Sequence, residues 1–160
     1  MESTEPKYAN SGLMNTKIHP PLLAAALILV TLILHFVLPE ERLVGWHHVI
    51  GLLLVAAGVG LCTFAAAIFQ ARDTTKNPYG DPGTFVVQAP YTWTRNPMYL
   101  GMLLMLLAWA AFLFKPVALL FVAIFALYTN RFQIKPEEQV LSSLFGAEYI
   151  AYKARVRRWL

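Results

Sequence analysis

Residues 46–69 read WHHVIGLLLVAAGVGLCTFAAAIF, a stretch of 24 residues that contains no acidic residue, lysine or arginine. About 20 apolar residues are enough for a helix to cross the roughly 30 Å of hydrocarbon in a bilayer. The whole chain of 160 residues is 58% hydrophobic and 14% charged, whereas soluble domains are nearer half apolar and a quarter charged. The sequence therefore predicts an integral membrane protein built around a transmembrane helix at 46–69.

Three further apolar runs lie on either side of this stretch, at residues 20–38, 98–114 and 117–130. Only Lys115 and Pro116 separate the last two runs, which predicts a tight helical hairpin. The fourth run is short, so it must tilt, thin the bilayer or continue through Arg131. We predict an all-α, polytopic membrane protein with about four transmembrane helices.

The remaining residues divide into a tail, a connector and a polar end. Residues 1–19 are predicted to be a polar N-terminal tail, followed by a single membrane domain at 20–160. The connector at 70–97, rich in Thr, Pro, Gly and Asp, is too long to be passive. The last 25 residues, PEEQVLSSLFGAEYIAYKARVRRWL, predict a C-terminal amphipathic helix that starts at Pro136. Its apolar face is formed by Leu141, Phe145, Tyr149, Tyr152 and Val156, and Lys153, Arg155, Arg157 and Arg158 close it.

The distribution of basic residues predicts the orientation in the membrane. Four spans place both termini on one side, and eleven of the thirteen lysine and arginine residues then share that side. Only Arg42 and Lys115 fall on the other side. Cytoplasmic loops carry the excess of basic residues, so both termini, the connector and the C-terminal helix are predicted to be cytoplasmic.

Several classes of function fit the sequence poorly. The single cysteine, Cys62, cannot form an intramolecular disulfide or a zinc cluster, and the four histidines have no metal-ligand spacing, so no metal site is predicted. The net charge of +4 follows from topology, which leaves no reason to expect nucleic-acid binding. No acidic residue lies inside a span, which argues against an ion-coupled transporter.

The sequence APYTWTRNPMYLGM, residues 89–102, places polar and aromatic residues directly against an apolar run. Taken singly, Arg95 fits a membrane anchor, Pro97 the first residue of a helix, and the rings an aromatic belt. Taken together with Glu137 and Glu138, they fit a binding site better. A helix start offers free N–H groups to a carboxylate, acidic residues bind an amine or ribose hydroxyls, and aromatic rings cover a cation or an adenine. S-adenosylmethionine carries all of these groups.

Two ordered motifs carry a resemblance to a known family. APYTWTRNPMYLG resembles the pattern G-P-Y-x-x-x-R-[HN]-P-x-Y-x-G, with Ala89 in place of the first glycine. About forty residues later, EEQVLSSLFGAEYIAYKARVRR resembles E-E-x-x-L-x-x-x-F-G-x-x-Y-x-x-Y-x-x-x-V-x-R. Both motifs are typical of the isoprenylcysteine carboxyl methyltransferase and phospholipid methyltransferase family of membrane enzymes. The resemblance covers roughly residues 74–160. Gln133 lies near the position where the prenylcysteine enzymes have a basic residue that contacts the substrate.

The resemblance implies S-adenosylmethionine-dependent methyl transfer at the cytoplasmic membrane surface to an amphiphilic or prenylated acceptor. It implies catalytic roles for Arg95 and Glu137, and acceptor contacts for Arg131 and Gln133. The cofactor is expected in the segments 74–99 and 131–160. Its expected contacts are Lys76, Gly83, Thr84, Phe85, Val86, Tyr91, Asn96, Pro97, Met98, Tyr99, Glu137 and Glu138.

Two alternatives remain open at this point, as does homo-oligomer formation. Membrane sterol reductases, which use NADPH, share the R-N-P-x-Y-x-G and Y-x-x-Y patterns but are usually longer. A non-enzymatic membrane scaffold would make the connector at 70–97 dispensable. For an enzyme, Gly101, Met102, Met105 and Ala108 predict adaptable gaps through which an acceptor enters from the bilayer.

Overall fold

The computed structural model describes residues 18–37, 45–71 and 87–160. All regular secondary structure in these ranges is helical, which confirms the predicted all-α class. The helices are α1 (Pro20–Val37), α2 (Trp46–Ala71), α3 (Pro97–Leu113), α4 (Pro116–Thr129) and α5 (Lys135–Arg155). The tail at 1–17 and the predicted contacts Lys76, Gly83, Thr84, Phe85 and Val86 lie outside the described residues.

Three helical stretches, beginning at Pro20, Trp46 and Pro116, are long and apolar enough to cross a membrane. The helix α3 is also apolar, but its 17 residues give about 25 Å at 1.5 Å per residue. It begins with a proline. Proline is tolerated at the first helical position because an N–H at that position would have no partner within the helix. The helix α3 ends at Leu113 and is capped by Phe114, which has a left-handed backbone (φ 47°) and donates its N–H to the carbonyl oxygens of Ala110 and Ala111. The predicted hairpin of α3 and α4 is confirmed.

The helix α4 continues without a break through a π-helical turn, Asn130–Ile134, into α5. Of the three alternatives for the short fourth run, the chain continues through Arg131. The predicted C-terminal helix is present as α5, which begins at Lys135 with Pro136 in its first turn, and the π-helical turn joins it to α4. Proline lacks an N–H and its ring crowds the carbonyl group four residues earlier, so the wider π turn immediately before Pro136 accommodates it within a continuous helix.

Two features of α5 differ from the prediction. Gly146 has φ 49° and ψ −121°, a conformation that interrupts the helix and that side chains other than glycine avoid. The helix ends at Arg155, and Val156 is extended (ψ 128°). Arg157 and Arg158 thus lie beyond the helix that they were predicted to close.

The helices α2 and α3 approach each other at small residues. Gly51, Gly58 and Ala65 are buried on α2 at intervals of seven residues. A Cβ atom built on Gly58 would lie 2.7 Å from the carbonyl oxygen of Gly101, and one built on Gly101 would lie 2.7 Å from that of Gly58. Close backbone approach of this kind is a main source of helix association in lipid, where burial of apolar surface gives little driving force.

Gly101 and Ala108 were predicted to border gaps for an acceptor. In the structure, Gly101 touches the backbone of α2, and Ala108 is fully buried. These two positions are packed contacts, so the prediction that they form an entrance is wrong.

The other side of α3 contacts α1 and α4. Ala24 and Leu27 of α1 form one apolar cluster with Leu106 of α3 and Phe125 of α4. At the start of α1, the carbonyl oxygen of Ile18 accepts a hydrogen bond from the amide of Gln133 (3.3 Å). The central helix α3 is therefore held on both sides, which fixes the position of its first turn.

The start of α1 lies beside the end of α4, and the start of α3 lies beside the end of α2. We call this end of the helices the basic end. Its basic residues in the described ranges are Arg95, Arg131, Lys135, Lys153, Arg155, Arg157 and Arg158. Lys115, between α3 and α4, lies at the opposite end.

Candidate functional site

A tight turn precedes α3 at the basic end. The N–H of Tyr91 donates to the carbonyl oxygen of Gln88 (2.7 Å), and the N–H of Trp93 donates to that of Pro90 (3.0 Å). Tyr91 is buried against Ala65 of α2. The carbonyl oxygen of Tyr91 accepts a hydrogen bond of 2.6 Å from the Tyr152 hydroxyl. The turn is thereby fixed between α2 and α5.

The first turn of α3 offers a backbone donor. Asn96 precedes the helix, and its side chain makes no capping hydrogen bond. Its carbonyl oxygen accepts the first helical hydrogen bond, from the N–H of Leu100 (2.9 Å). The N–H group of Met98 precedes that bond and lies at the positive end of the helix dipole. This arrangement favours an anionic group.

Glu137 faces the same turn. Its Oε1 accepts a hydrogen bond of 2.6 Å from the hydroxyl of Tyr99. Removal from water raises the pKa of Glu137 to about 7, the neighbouring negative charge of Glu138 adds to the rise, and the Tyr99 hydrogen bond opposes it. No basic side chain in the described part of the chain forms an ion pair with Glu137. The carboxyl group is therefore suited to receive a cation from a ligand.

The adjacent residue, Glu138, has a different environment. Arg158 holds both of its oxygens, with Nη2–Oε2 at 2.6 Å and Nε–Oε1 at 3.0 Å. Arg95 Nη2 lies 3.3 Å from Oε1. A carboxylate between two guanidinium groups is already neutralised, so Glu138 supports the site rather than offering a free charge to a ligand.

Arg95 is largely buried, with 12% of its side chain exposed. Its backbone N–H donates to the carbonyl oxygen of Arg157 (3.0 Å). Its Nε is buried and has no hydrogen-bond partner among the residues that the structure describes. Arg95 therefore forms an ion pair with Glu138, and its Nε–H group is a hydrogen-bond donor that no described residue uses.

Two buried tyrosines line the same region from α5. Burial raises the pKa of Tyr152 to about 12 and moves the pKa of Tyr149 upward as well. Both hydroxyls therefore stay neutral at physiological pH and act as hydrogen-bonding groups rather than as bases.

The structure brings most of the predicted site residues together. Those that meet between the turn, α3 and α5 are Tyr91, Arg95, Asn96, Pro97, Met98, Tyr99, Glu137 and Glu138. Arg131 is exposed, and Gln133 is buried, with its amide bonded to Ile18. Acceptor contacts by Arg131 and Gln133 remain predictions, as do the cofactor contacts. Within the described ranges, no three His, Cys, Asp or Glu side chains are grouped closely enough to hold a metal ion.

Three residues of this network were not predicted from the sequence. Arg158 binds Glu138, Asn130 accepts a hydrogen bond from Arg158 Nη1 (3.0 Å), and Thr94 donates to the carbonyl oxygen of Arg158 (3.1 Å). One signal was available, because the second family motif ends on V-x-R, which corresponds to Val156–Arg158. The arginine was instead interpreted as part of the basic end of an amphipathic helix.

Comparisons with known proteins agree with the resemblance. The model of the family described as phospholipid methyltransferase matches residues 46–148. Protein-S-isoprenylcysteine O-methyltransferase of Homo sapiens is 32% identical over 122 residues, which cover 74% of this chain and 42% of that protein. The Saccharomyces cerevisiae protein of the same name is 30% identical over 140 residues, covering 81% and 57%.

A third relative is shorter. An uncharacterized protein of Haemophilus influenzae is 56% identical over 63 residues, which are 39% of this chain and the whole of that protein. The chain spans about half the length of the two methyltransferases it matches. The match to the family model covers more than half of the chain, so the chain belongs to the phospholipid methyltransferase family.

Proposed function

We propose that this protein transfers a methyl group from S-adenosylmethionine to a lipid-like or prenylated acceptor at the cytoplasmic surface of a membrane. The observation that carries the proposal is Glu137, a carboxyl group removed from water, bonded to Tyr99 and without a basic partner in the described residues. Keeping such a group is costly unless a ligand supplies the compensating charge. Family membership and the names of the relatives support methyl transfer.

The residues at the start of α3 and α5 fit the polar groups of this cofactor. Glu137 would bind the ammonium group, and the N–H group of Met98 at the start of α3 would bind the carboxylate. The buried ring of Tyr91 would contact a cation or the purine. When bound, the cofactor supplies an electrophilic methyl group on a sulfonium.

The chain's own contribution is positioning rather than acid–base chemistry. Tyr149 and Tyr152 remain neutral, and Glu138 is held by two arginines, so none of these groups is poised to remove a proton. Correct placement of two reacting groups accounts for about 7–11 kcal/mol of a barrier. A rigid turn between α2, α3 and α5 is suited to provide that placement.

The proposed acceptor follows from where the site lies. The first turn of α3 begins an apolar helix, which supports placing the proposed site at the level where hydrocarbon meets water. An amphiphile places its head group at this depth and leaves its tail in lipid. The predicted topology, which assigns eleven of the thirteen lysine and arginine residues to one side, supports the cytoplasmic orientation. Arg131 and Gln133 are proposed to contact the acceptor.

The cofactor is tested by calorimetry on the purified protein in detergent, with S-adenosylmethionine and NADPH titrated separately. Glu137→Gln should weaken binding of S-adenosylmethionine by about 1.5–3 kcal/mol, roughly 10- to 150-fold, because a hydrogen bond to a charged group is lost. Glu148→Gln is the matched control, since Glu148 is exposed on the same helix. Equal affinity in both variants, or binding of NADPH alone, would contradict the assignment.

The acceptor is tested separately with a labelled methyl donor. Protein-containing membranes are given an S-prenylated cysteine with a free carboxylate, phosphatidylethanolamine vesicles, or small water-soluble amines and acids. We expect label in one of the first two. Label only in water-soluble compounds would overturn the proposed acceptor class, and absence of label from all of them would favour a scaffold.

A further inference from the structure

The last residues of the chain leave α5 and cross the candidate site. The carbonyl oxygen of Arg158 accepts hydrogen bonds from the hydroxyl of Thr94 (3.1 Å) and the amide of Asn96 (2.9 Å). One residue earlier, the carbonyl oxygen of Arg157 accepts from the N–H of Arg95 (3.0 Å). The three residues immediately before α3 are therefore bound to the C-terminal segment.

The side chain of Arg158 extends this connection to two other elements. Its Nε and Nη2 hold both oxygens of Glu138 on the first turn of α5, and its Nη1 holds Asn130 on the π-helical turn at 3.0 Å. The guanidinium plane presents these donors in a fixed geometry, which lysine cannot reproduce. A single residue thus joins the start of α3, the π-helical turn and the start of α5.

This connection bears directly on the hydrogen bond between Tyr99 and Glu137. Tyr99 lies on the first turn of α3 and Glu137 on the first turn of α5, and their 2.6 Å contact requires the two turns to stay in register. Arg158 is bound to the chain just before one turn and to the residue after Glu137 on the other. Replacing the Arg158 side chain would release Glu138 and Asn130, while the backbone contacts of Arg158 with Thr94 and Asn96 would remain.

Arg158 is also linked to Glu137 electrostatically, through the charge of Glu138. The titratable groups around Glu137 are Tyr99 on α3, Glu138 beside it, Tyr91 in the turn and Tyr149 further along α5. Of these, Glu138 is the one that carries a negative charge at neutral pH, and it raises the pKa of Glu137. Arg158 and Arg95 offset that charge. Without Arg158, only one guanidinium would remain against Glu138.

We propose that Arg158 is a positioning residue of the cofactor site. By neutralising Glu138 and joining the starts of α3 and α5, it leaves Glu137 as the carboxylate that receives the cofactor's cation. This inference rests on the proposed function for its consequence, but the link from Arg158 through Glu138 to Glu137 is testable without cofactor.

The test compares Arg158→Gln and Arg158→Lys with Arg157→Gln, whose side chain is exposed and whose backbone contact is retained. In the cofactor-free protein, infrared spectroscopy follows the carbonyl stretch of the protonated Glu137 carboxyl, identified by its loss in Glu137→Gln. We expect Arg158→Gln to raise the midpoint of this titration by about one pH unit. Arg158→Lys should give a smaller rise, and Arg157→Gln none.

The affinity for S-adenosylmethionine should follow the same midpoint. At pH values below the midpoint of the unmodified protein, Arg158→Gln should bind S-adenosylmethionine about tenfold more weakly than the unmodified protein does. A role limited to stability predicts weaker binding by the same factor at every pH, with no change in the infrared midpoint. That result would overturn the proposal.

A second variant keeps the test decisive if Arg158→Gln does not fold. Glu138→Gln removes the charge that Arg158 offsets, so the infrared midpoint of Glu137 should fall, and an unchanged midpoint would contradict the link. The proposed function can be refuted independently of this link. If the unmodified protein binds no S-adenosylmethionine but the infrared midpoints move as expected, the link stands and the cofactor assignment does not.

Discussion

Replacing Glu137 with glutamine should stabilise the cofactor-free protein at alkaline pH. Ionisation of this carboxyl group is unfavourable in the folded protein because the group is removed from water and lies beside Glu138. Glutamine has nearly the same shape, carries no charge and keeps a carbonyl oxygen for the Tyr99 hydroxyl. The variant would therefore keep the hydrogen bond and lose the electrostatic penalty.

The magnitude follows from the pKa of Glu137, raised from 4.5 to about 7. For an acid with a raised pKa, the folded state binds more protons than the unfolded state, so stability falls as the pH rises from about 4.5 to about 7 and stays low above that. At 1.36 kcal/mol per unit, the full loss is about 3 kcal/mol. Glu137→Gln should gain under about 1 kcal/mol at pH 5 and up to about 3 kcal/mol at pH 8.

Thermal unfolding in one detergent at pH 5 and pH 8 measures this difference. For a chain of this size, about 3 kcal/mol corresponds to a rise in Tm of roughly 6–12 °C. Glu148→Gln should show no such rise, because that carboxylate is exposed. The same Glu137 variant should lose the further increase in Tm that S-adenosylmethionine gives to the unmodified protein. A gap between variant and unmodified protein that does not grow with pH, or a less stable variant at pH 8, would refute the reasoning.

Other changes test the packing and the support of the site. Gly58→Ala should lower the free energy of unfolding by about 1–3 kcal/mol, because its Cβ would lie 2.7 Å from a carbonyl oxygen of α3. Gly60→Ala, with no atom within 4 Å of its Cβ, should not lower Tm, and equal losses in the two variants would contradict the close contact. Arg95→Lys keeps the charge but loses the planar guanidinium, so the methyl-transfer rate should fall at least about tenfold at normal expression. Full activity of this variant would show that Arg95 serves only as a membrane anchor. Gly146→Ala should cost about 1–3 kcal/mol in a thermal melt because φ is 49°, and an unchanged Tm would show that the kink is dispensable.

The transmembrane helices could be predicted closely because length and hydropathy are local properties. The runs at 20–38 and 46–69 became α1 and α2 within two residues of the expected bounds. Continuation of α4 through Arg131 was one of three alternatives and could not be singled out, because a proline such as Pro136 fits both a helix start and a position after a π turn. The interruption at Gly146 was also hidden, since the apolar spacing of three and four residues runs through it.

The candidate site was predicted in composition but not in its division of roles. Glu137 and Glu138 are equivalent in sequence, yet neighbours on a helix point about 100° apart and meet different groups. Which of them is neutralised depends on Arg158, twenty residues later, at the point where the chain has left α5. That contact arises from the tertiary fold, so no local pattern could assign it.

The contact between α2 and α3 links the membrane part of the fold to the chemistry at its end. Gly51 and Gly58 of α2 pack against α3, and seven residues after Gly58, Ala65 contacts the buried ring of Tyr91 in the turn before α3. The depth of the turn before α3 is thus fixed by backbone packing inside the bilayer. Parting the helices at Gly58 to admit a lipid would break the same packing, and would move Tyr91 with it. We therefore expect an acceptor from the bilayer to reach the site beside the first turn of α3, where Met98 is exposed, rather than between α2 and α3.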